Sequence, residues 1–188
     1  GFGVKAGFVP LHLWLPEAHP AAPSHVSAVM SGVMIKTGIY GILRTLEFVG
    51  PPASSWGWAL IAVGATSGIF GVLFALAQKD LKRLLAYSSV ENIGIITLGV
   101  GVGLLGLSYD RTDLALLGFA GALLHVLNHS VFKGLLFLGA GTVLHEAKTL
   151  DLDRLGGLSR KMPRTAWFFA VGAVAIVGLP PLNGFLGE

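Results

Sequence analysis

The sequence predicts an all-α fold: a polytopic bundle of transmembrane helices, some of them discontinuous. Three observations predict it. Of 188 residues, 53% are hydrophobic and 12% charged; mean hydropathy is +0.74; and several apolar runs reach the roughly 20 residues needed to cross a hydrocarbon core. Such a chain cannot keep a water-facing surface. It has no cysteine, which excludes disulfides, thiolate nucleophiles and iron–sulfur ligation, so any electron-carrying centres belong to other subunits. The net charge of +3 matters less than where the charges fall, and no nucleic-acid partner is expected.

Taken in order, the opening apolar run carries Lys5 and is broken by Gly7 and Pro10. Leu11–His19, with Trp14, reads as a lateral, interfacial segment. Four full spans follow at Val26–Leu43, Trp58–Ala77, Leu84–Leu107 and Leu114–Leu144, the last long enough to tilt or bend. Asp80–Leu85 and Leu152–Lys161 also read as lateral. The closing run Leu179–Leu186 is interrupted by Gly178, Pro180, Pro181 and Gly184 just before Glu188. Beginning and ending within apolar sequence, the chain reads as an internal fragment of a longer protein.

Alternate loops differ in charge. Pro10–His25, Gln78–Arg83 and His145–Thr165 carry eight Lys and Arg residues, whereas Arg44–Gly57 and Ser108–Asp113 carry two. The excess places the first set in the cytoplasm.

The informative residues are ionisable groups inside the spans. A charge at the bilayer centre costs at least about 2.5–3.5 kcal/mol, so each needs a reason, and ion transfer is the default one. Lys36 sits near the middle of its span. His125, His129 and Lys133 recur at i, i+4 and i+8, one helical stripe with steps of about 6 Å. Histidine titrates near neutrality and accepts on one nitrogen while donating on the other; a desolvated lysine exchanges protons where arginine cannot. For Lys5, snorkelling to the interface is an equal alternative. Glu188, taken alone, reads more readily as a solvated chain-end carboxylate, and Glu91 and Asn92 read equally as path residues or a solvated face.

Other patterns carry less. Gly101-Val-Gly103-Leu-Leu-Gly106 matches a dinucleotide fingerprint but lies within an apolar span, where close helix packing is the better reading. His12, Glu17, His19 and His25 lack a metal-ligand spacing and read as interfacial polar residues. No catalytic residue, metal site or bound cofactor is expected in this chain.

Several runs together resemble a known family. Val4-Lys5-Ala6-Gly7-Phe8-Val9-Pro10-Leu11-His12, Trp14-Leu15-Pro16-Glu17-Ala18-His19, Ile35-Lys36-Thr37-Gly38-Ile39-Tyr40-Gly41, Asp80-Leu81-Lys82-Arg83-Leu84-Leu85-Ala86-Tyr87-Ser88-Ser89, Asn128-His129-Ser130-Val131-Phe132-Lys133 and Leu179-Pro180-Pro181-Leu182-Asn183-Gly184-Phe185 are similar to the proton-translocating antiporter-like subunits of respiratory complex I, Mrp antiporters and membrane-bound hydrogenases. Ser88–Gly94 and Asn128–Lys133 resemble most the large membrane subunit of formate hydrogenlyase and hydrogenase 4.

The resemblance implies two inverted five-helix repeats, with residues 1–44 ending the first and 58–188 forming most of the second. It implies a proton path through Lys5, Lys36, His125, His129, Lys133 and Glu188. Asn92 departs from relatives that carry histidine there, which routes the path through water or Glu91. The glutamate that pairs with the Lys5 equivalent belongs to an earlier helix. The implied protein is a proton-translocating subunit of a redox-driven complex in a bacterial or archaeal plasma membrane, partnered by the membrane and peripheral subunits of a hydrogenase or NADH dehydrogenase. The alternative is a subunit of an Mrp-type sodium/proton antiporter.

Overall fold

The computed structural model describes residues 1–50 and 52–187, which are helical throughout apart from short joints and a single bridge pairing Asp80 with Asp151. Two short helices open the chain, α1 (Phe2–Ala6) and α2 (Trp14–Ala21). The first long span is composite: α3 (Ser24–Val29), a π-helical turn (Met30–Met34) and α4 (Lys36–Val49). Then come α5 (Ser54–Leu76), α6 (Leu81–Ser108) and α7 (Thr112–Ala147), a 3-10 turn at Leu152–Arg154, and α8 (Leu158–Lys161), α9 (Pro163–Ile176) and α10 (Asn183–Gly187).

The four long units, of 26, 23, 28 and 36 residues, coincide with the four expected spans and extend them by a turn or so. α6 is the central post: 67% of its most apolar window is buried against 22% for α5. α5, α7 and α2 pack around it. Apolar burial drives no association inside lipid, so these contacts depend on close approach of small residues. Gly101 meets the backbone of Gly57 and Ile61, and Gly106 that of Ala115, where a Cβ would come within 2.3 Å of the amide nitrogen. The Gly101–Gly106 pattern is thus a helix-packing device serving α5 on one face and α7 on another.

The opening segment corrects the lateral reading of Leu11–His19. α1 lies against α4, with Gly38 letting the Ala6 and Phe2 backbone approach so closely that a Cβ would come within 2.6 Å. α2 runs along α6 and buries Leu15, Pro16 and His19. Between them the chain is irregular, and Gly7 takes φ 86°, a left-handed conformation that only glycine adopts cheaply. Backbone groups freed by the break are satisfied locally: Val9 N–H donates to Ser67 Oγ (3.1 Å) and the Trp14 indole N–H donates to Val4 O (2.8 Å). Trp14 therefore ties the two arms together. A break in lipid survives only with such partners.

The closing run breaks as expected. α9 ends at Ile176, Gly178 takes φ 68°, and a non-helical joint leads to α10. Asp80–Leu85 is not lateral: Asp80 caps α6 by accepting the Arg83 N–H (2.9 Å). The three basic loops do meet at one end of the bundle. Arg83 pairs with Glu17 (2.9 Å), Lys79 with Asp153 (2.6 Å), and Leu81 N–H donates to Leu150 O (3.0 Å).

Two apolar cores result. One joins α1, α2, α4 and α6 through Ala6, Leu15, Ile35, Ile39, Val90 and Ile93. The other, at the basic end, joins α6, α7, α8 and α9 through Leu81, Leu85, Leu136, Phe137, Leu158 and Phe169. Along α6 and α7 the interval between the cores, residues 86–89 and 123–135, is where the buried polar side chains concentrate.

Candidate functional site

The site is built on α7. His125, His129 and Lys133 are all fully buried and face α6 and the π-helical turn. Lys133 Nζ donates to Leu85 O (2.8 Å) and Ser88 Oγ (2.5 Å), and it interacts electrostatically with Glu91. The next step along the stripe, His129, meets Lys36 directly, Nζ to Nδ1. One turn further, His125 Nε2 bonds Asn92 Oδ1 (2.9 Å).

The π-helical turn explains how a lysine reaches that position. Ile35 N–H reaches back five residues to Met30 O (3.2 Å), which takes it from its usual partner, Ser31 O. Lys36 Nζ donates to that released carbonyl as well as meeting His129. The neighbouring carbonyl, Gly32 O, accepts Ser130 Oγ of α7 (2.5 Å), and Ser31 Oγ bonds Ser89 Oγ of α6 (2.8 Å). Single π turns recur at functional sites because they release backbone groups in this way.

Protonation roles follow from the bonds. Asn92 Nδ2 donates to Ser88 O (2.8 Å), which fixes its amide so that Oδ1 faces His125. Nε2 of His125 therefore carries the hydrogen, and Nδ1 is left as a buried acceptor with no partner among the described residues. In His129, Nδ1 faces Lys36 Nζ, and Nε2 has no hydrogen-bond partner among the described residues. The rings are stacked, 6.4 Å apart between centroids. Beside Ser88 and Glu91 a cavity of about 490 Å³ opens between α6, α7 and α9, ample for solvent.

Of the expected path residues, the structure brings together Lys36, His125, His129 and Lys133 and adds Asn92. Lys5 lies exposed on α1 and does not join them. Glu188 lies outside the described residues; Gly187, next to it, backs directly onto His125. His25 is exposed and Glu17 pairs with Arg83 at the basic end.

Three features were not legible. Ser31, Ser88, Ser89 and Ser130 supply the hydroxyls of the site, and their only sequence signal was serine within apolar spans. His19, read as interfacial, is fully buried, stacks on Phe137 at 4.6 Å and has no hydrogen-bond partner on either ring nitrogen among the described residues. Phe137 is four residues past Lys133, so His19 extends the α7 stripe by one turn toward the basic end. Lys82, counted as a loop cation, is 2% exposed and donates to Ala22 O (2.7 Å). His12 is also buried, but packs against Phe74 and Tyr87, away from the stripe.

The whole chain, residues 1–188, matches the family described as NADH:quinone oxidoreductase/Mrp antiporter, TM. It is 55% identical to hydrogenase-4 component B of Escherichia coli K12 and 47% identical to formate hydrogenlyase subunit 3 of the same organism, in each case over 100% of this chain but only 28% and 31% of the relative. It superposes on a chain of respiratory complex I from Thermus thermophilus with TM-score 0.84 and 32% identity, covering 100% of this chain and 38% of that one. The chain therefore spans about a third of the length of these proteins. The chain belongs to the NADH:quinone oxidoreductase/Mrp antiporter transmembrane family.

Proposed function

We propose that this chain is part of the proton-translocating channel of a membrane subunit in a redox-driven complex, of the hydrogenase 4 or formate hydrogenlyase type. The observation that carries the reading is the direct contact of Lys36 with His129 in the interval between the two apolar cores. A lysine amine and an imidazole share a position buried inside the membrane-spanning bundle, where the cost of burying an ionisable group makes ion transfer the default reading.

In this reading protons enter at the basic end by His19, pass to Lys133 beside the Ser88–Glu91 cavity, and reach the Lys36–His129 pair. His129 takes a proton at Nδ1 from Lys36 and releases one from Nε2 through water to His125. From there they leave toward the closing segment and the Glu188 carboxyl. Neighbouring charges drive the order of events, because two unit charges 4 Å apart repel by about 4 kcal/mol at an effective dielectric of 20. Lys5 serves the preceding repeat, which residues 1–44 end; residues 58–188 form most of the next. The paired breaks support this division, each pivoting on a glycine in left-handed conformation, Gly7 and Gly178.

The most similar relatives named above favour a hydrogenase-type complex over an Mrp antiporter, the second reading. The chain would then work in a bacterial or archaeal plasma membrane with peripheral subunits that hold all redox centres, and bind no cofactor itself. The test uses the full-length protein in its complex, in inverted vesicles. Replacing Lys36 with Ala is expected to abolish proton uptake while electron transfer and assembly persist. Undiminished uptake at normal assembly would overturn the reading.

A further inference from the structure

The closing segment is tied to α7 by a pair of asparagines. Asn128 Nδ2 donates to Asn183 O (2.6 Å), and Asn183 Nδ2 donates to Asn128 Oδ1 (3.2 Å). α10 is not a continuation of α9. Val177–Leu182 separates them as a non-helical joint, with Gly178 at φ 68°, so the short helix is a lever whose position is set by what it touches. It touches α9, where Gly184 lies against the Ala175 carbonyl, and the His125 end of the relay on α7. A Cβ placed on Gly187 would lie 2.7 Å from His125 Nδ1 and 3.1 Å from Asn128 Nδ2.

His125 Nδ1 is the acceptor nitrogen of that ring, buried and with no partner among the described residues, because Nε2 is committed to Asn92 Oδ1. With α10 docked, its backbone covers that nitrogen. The residue that holds α10 down, Asn128, is three residues from His125 and one from His129 on the same helix, so the clasp and the relay move as one body.

We propose that Asn128 and Asn183 form a clasp that docks α10 over His125, and that its opening admits water to Nδ1 and thereby controls proton transfer out of the His125 end of the path. The two asparagines are positioning residues: they exchange no proton themselves. This proposal rests on the proton-conducting reading of the stripe.

The two bonds are unequal in what a substitution removes. Asn128→Ala deletes both, whereas Asn183→Ala deletes only the 3.2 Å one, since the other uses the backbone carbonyl. In the full-length protein within its complex, reconstituted into liposomes, proton translocation per electron transferred is expected to fall at least fivefold in Asn128→Ala and about twofold in Asn183→Ala. The double variant should be no worse than Asn128→Ala alone. Hydrogen–deuterium exchange at residues 183–187 should speed up at least tenfold in Asn128→Ala while exchange in α6 is unchanged; this measurement decides the matter even if a variant assembles poorly in membranes. Wild-type translocation in both single variants, or unchanged exchange in α10, overturns the clasp. Loss of translocation in Lys36→Ala alongside wild-type behaviour of the asparagine variants sinks the clasp alone, whereas full translocation in Lys36→Ala sinks the conduction reading beneath it.

Discussion

Lys36 of α4 and His129 of α7, 93 residues apart in sequence, bond directly through Nζ and Nδ1. The contact depends on a single π-helical turn, Met30–Met34, which frees Ser31 O to hold the same ammonium. An ammonium held by one carbonyl and one imidazole has a ready proton acceptor, which an ammonium paired with a carboxylate in water would not need.

Lys36→Arg separates charge from proton exchange. Arginine keeps the cation but does not deprotonate, so proton uptake in vesicles is expected to fall at least tenfold, as in Lys36→Ala. Retained uptake in the arginine variant would show that the charge alone suffices.

Ser88→Ala removes one of the two oxygens that hold Lys133, leaving Leu85 O. Hydrogen bonds to charged groups contribute about 1.5–3 kcal/mol, so a two- to tenfold slower proton uptake with intact assembly is expected. The check is a fluorescence-quench assay at matched complex content.

His19→Phe and His12→Phe form a matched pair. Both histidines are buried against aromatic rings, but only His19 continues the α7 stripe. Uptake should drop severalfold for His19→Phe and remain near wild type for His12→Phe. Equal effects would remove His19 from the path.

Gly38→Leu tests the opening break. The Ala6 amide and Phe2 carbonyl lie within 2.7 Å of where even a Cβ would sit, so α1 must move away from α4. Overpacking of this kind costs about 1–3 kcal/mol, expected as a drop in melting temperature of the detergent-solubilised protein.

Asp80→Ala removes the cap of α6 and lies away from the buried relay. A cap contributes about 1 kcal/mol, so thermal stability should fall slightly while proton uptake per assembled complex is unchanged. A large loss of uptake would mean that the basic end does more than anchor the helix.

Composition and apolar run length were enough to establish a multi-span helical chain, the places where helices break, and the residue types of the relay. The period of 3.6 already placed His125, His129 and Lys133 on one stripe, because that relation is internal to one helix and needs no knowledge of its neighbours. Likewise Gly7 and Gly178 announced their breaks, since backbone freedom is a local property. The lateral reading of Leu11–His19 failed because a short amphipathic helix looks alike at a membrane surface and against α6, and only packing distinguishes them. For the same reason His19 passed as an interfacial group and Lys82 as a loop cation until helix packing buried them. The Lys36–His129 bond, the serine hydroxyls around it and the seating of α10 on His125 were decided by tertiary structure alone. Each depends on the register of one helix against another, set by glycine contacts such as Gly106 with Ala115 and by one π turn, and no pattern within a single helix encodes that register.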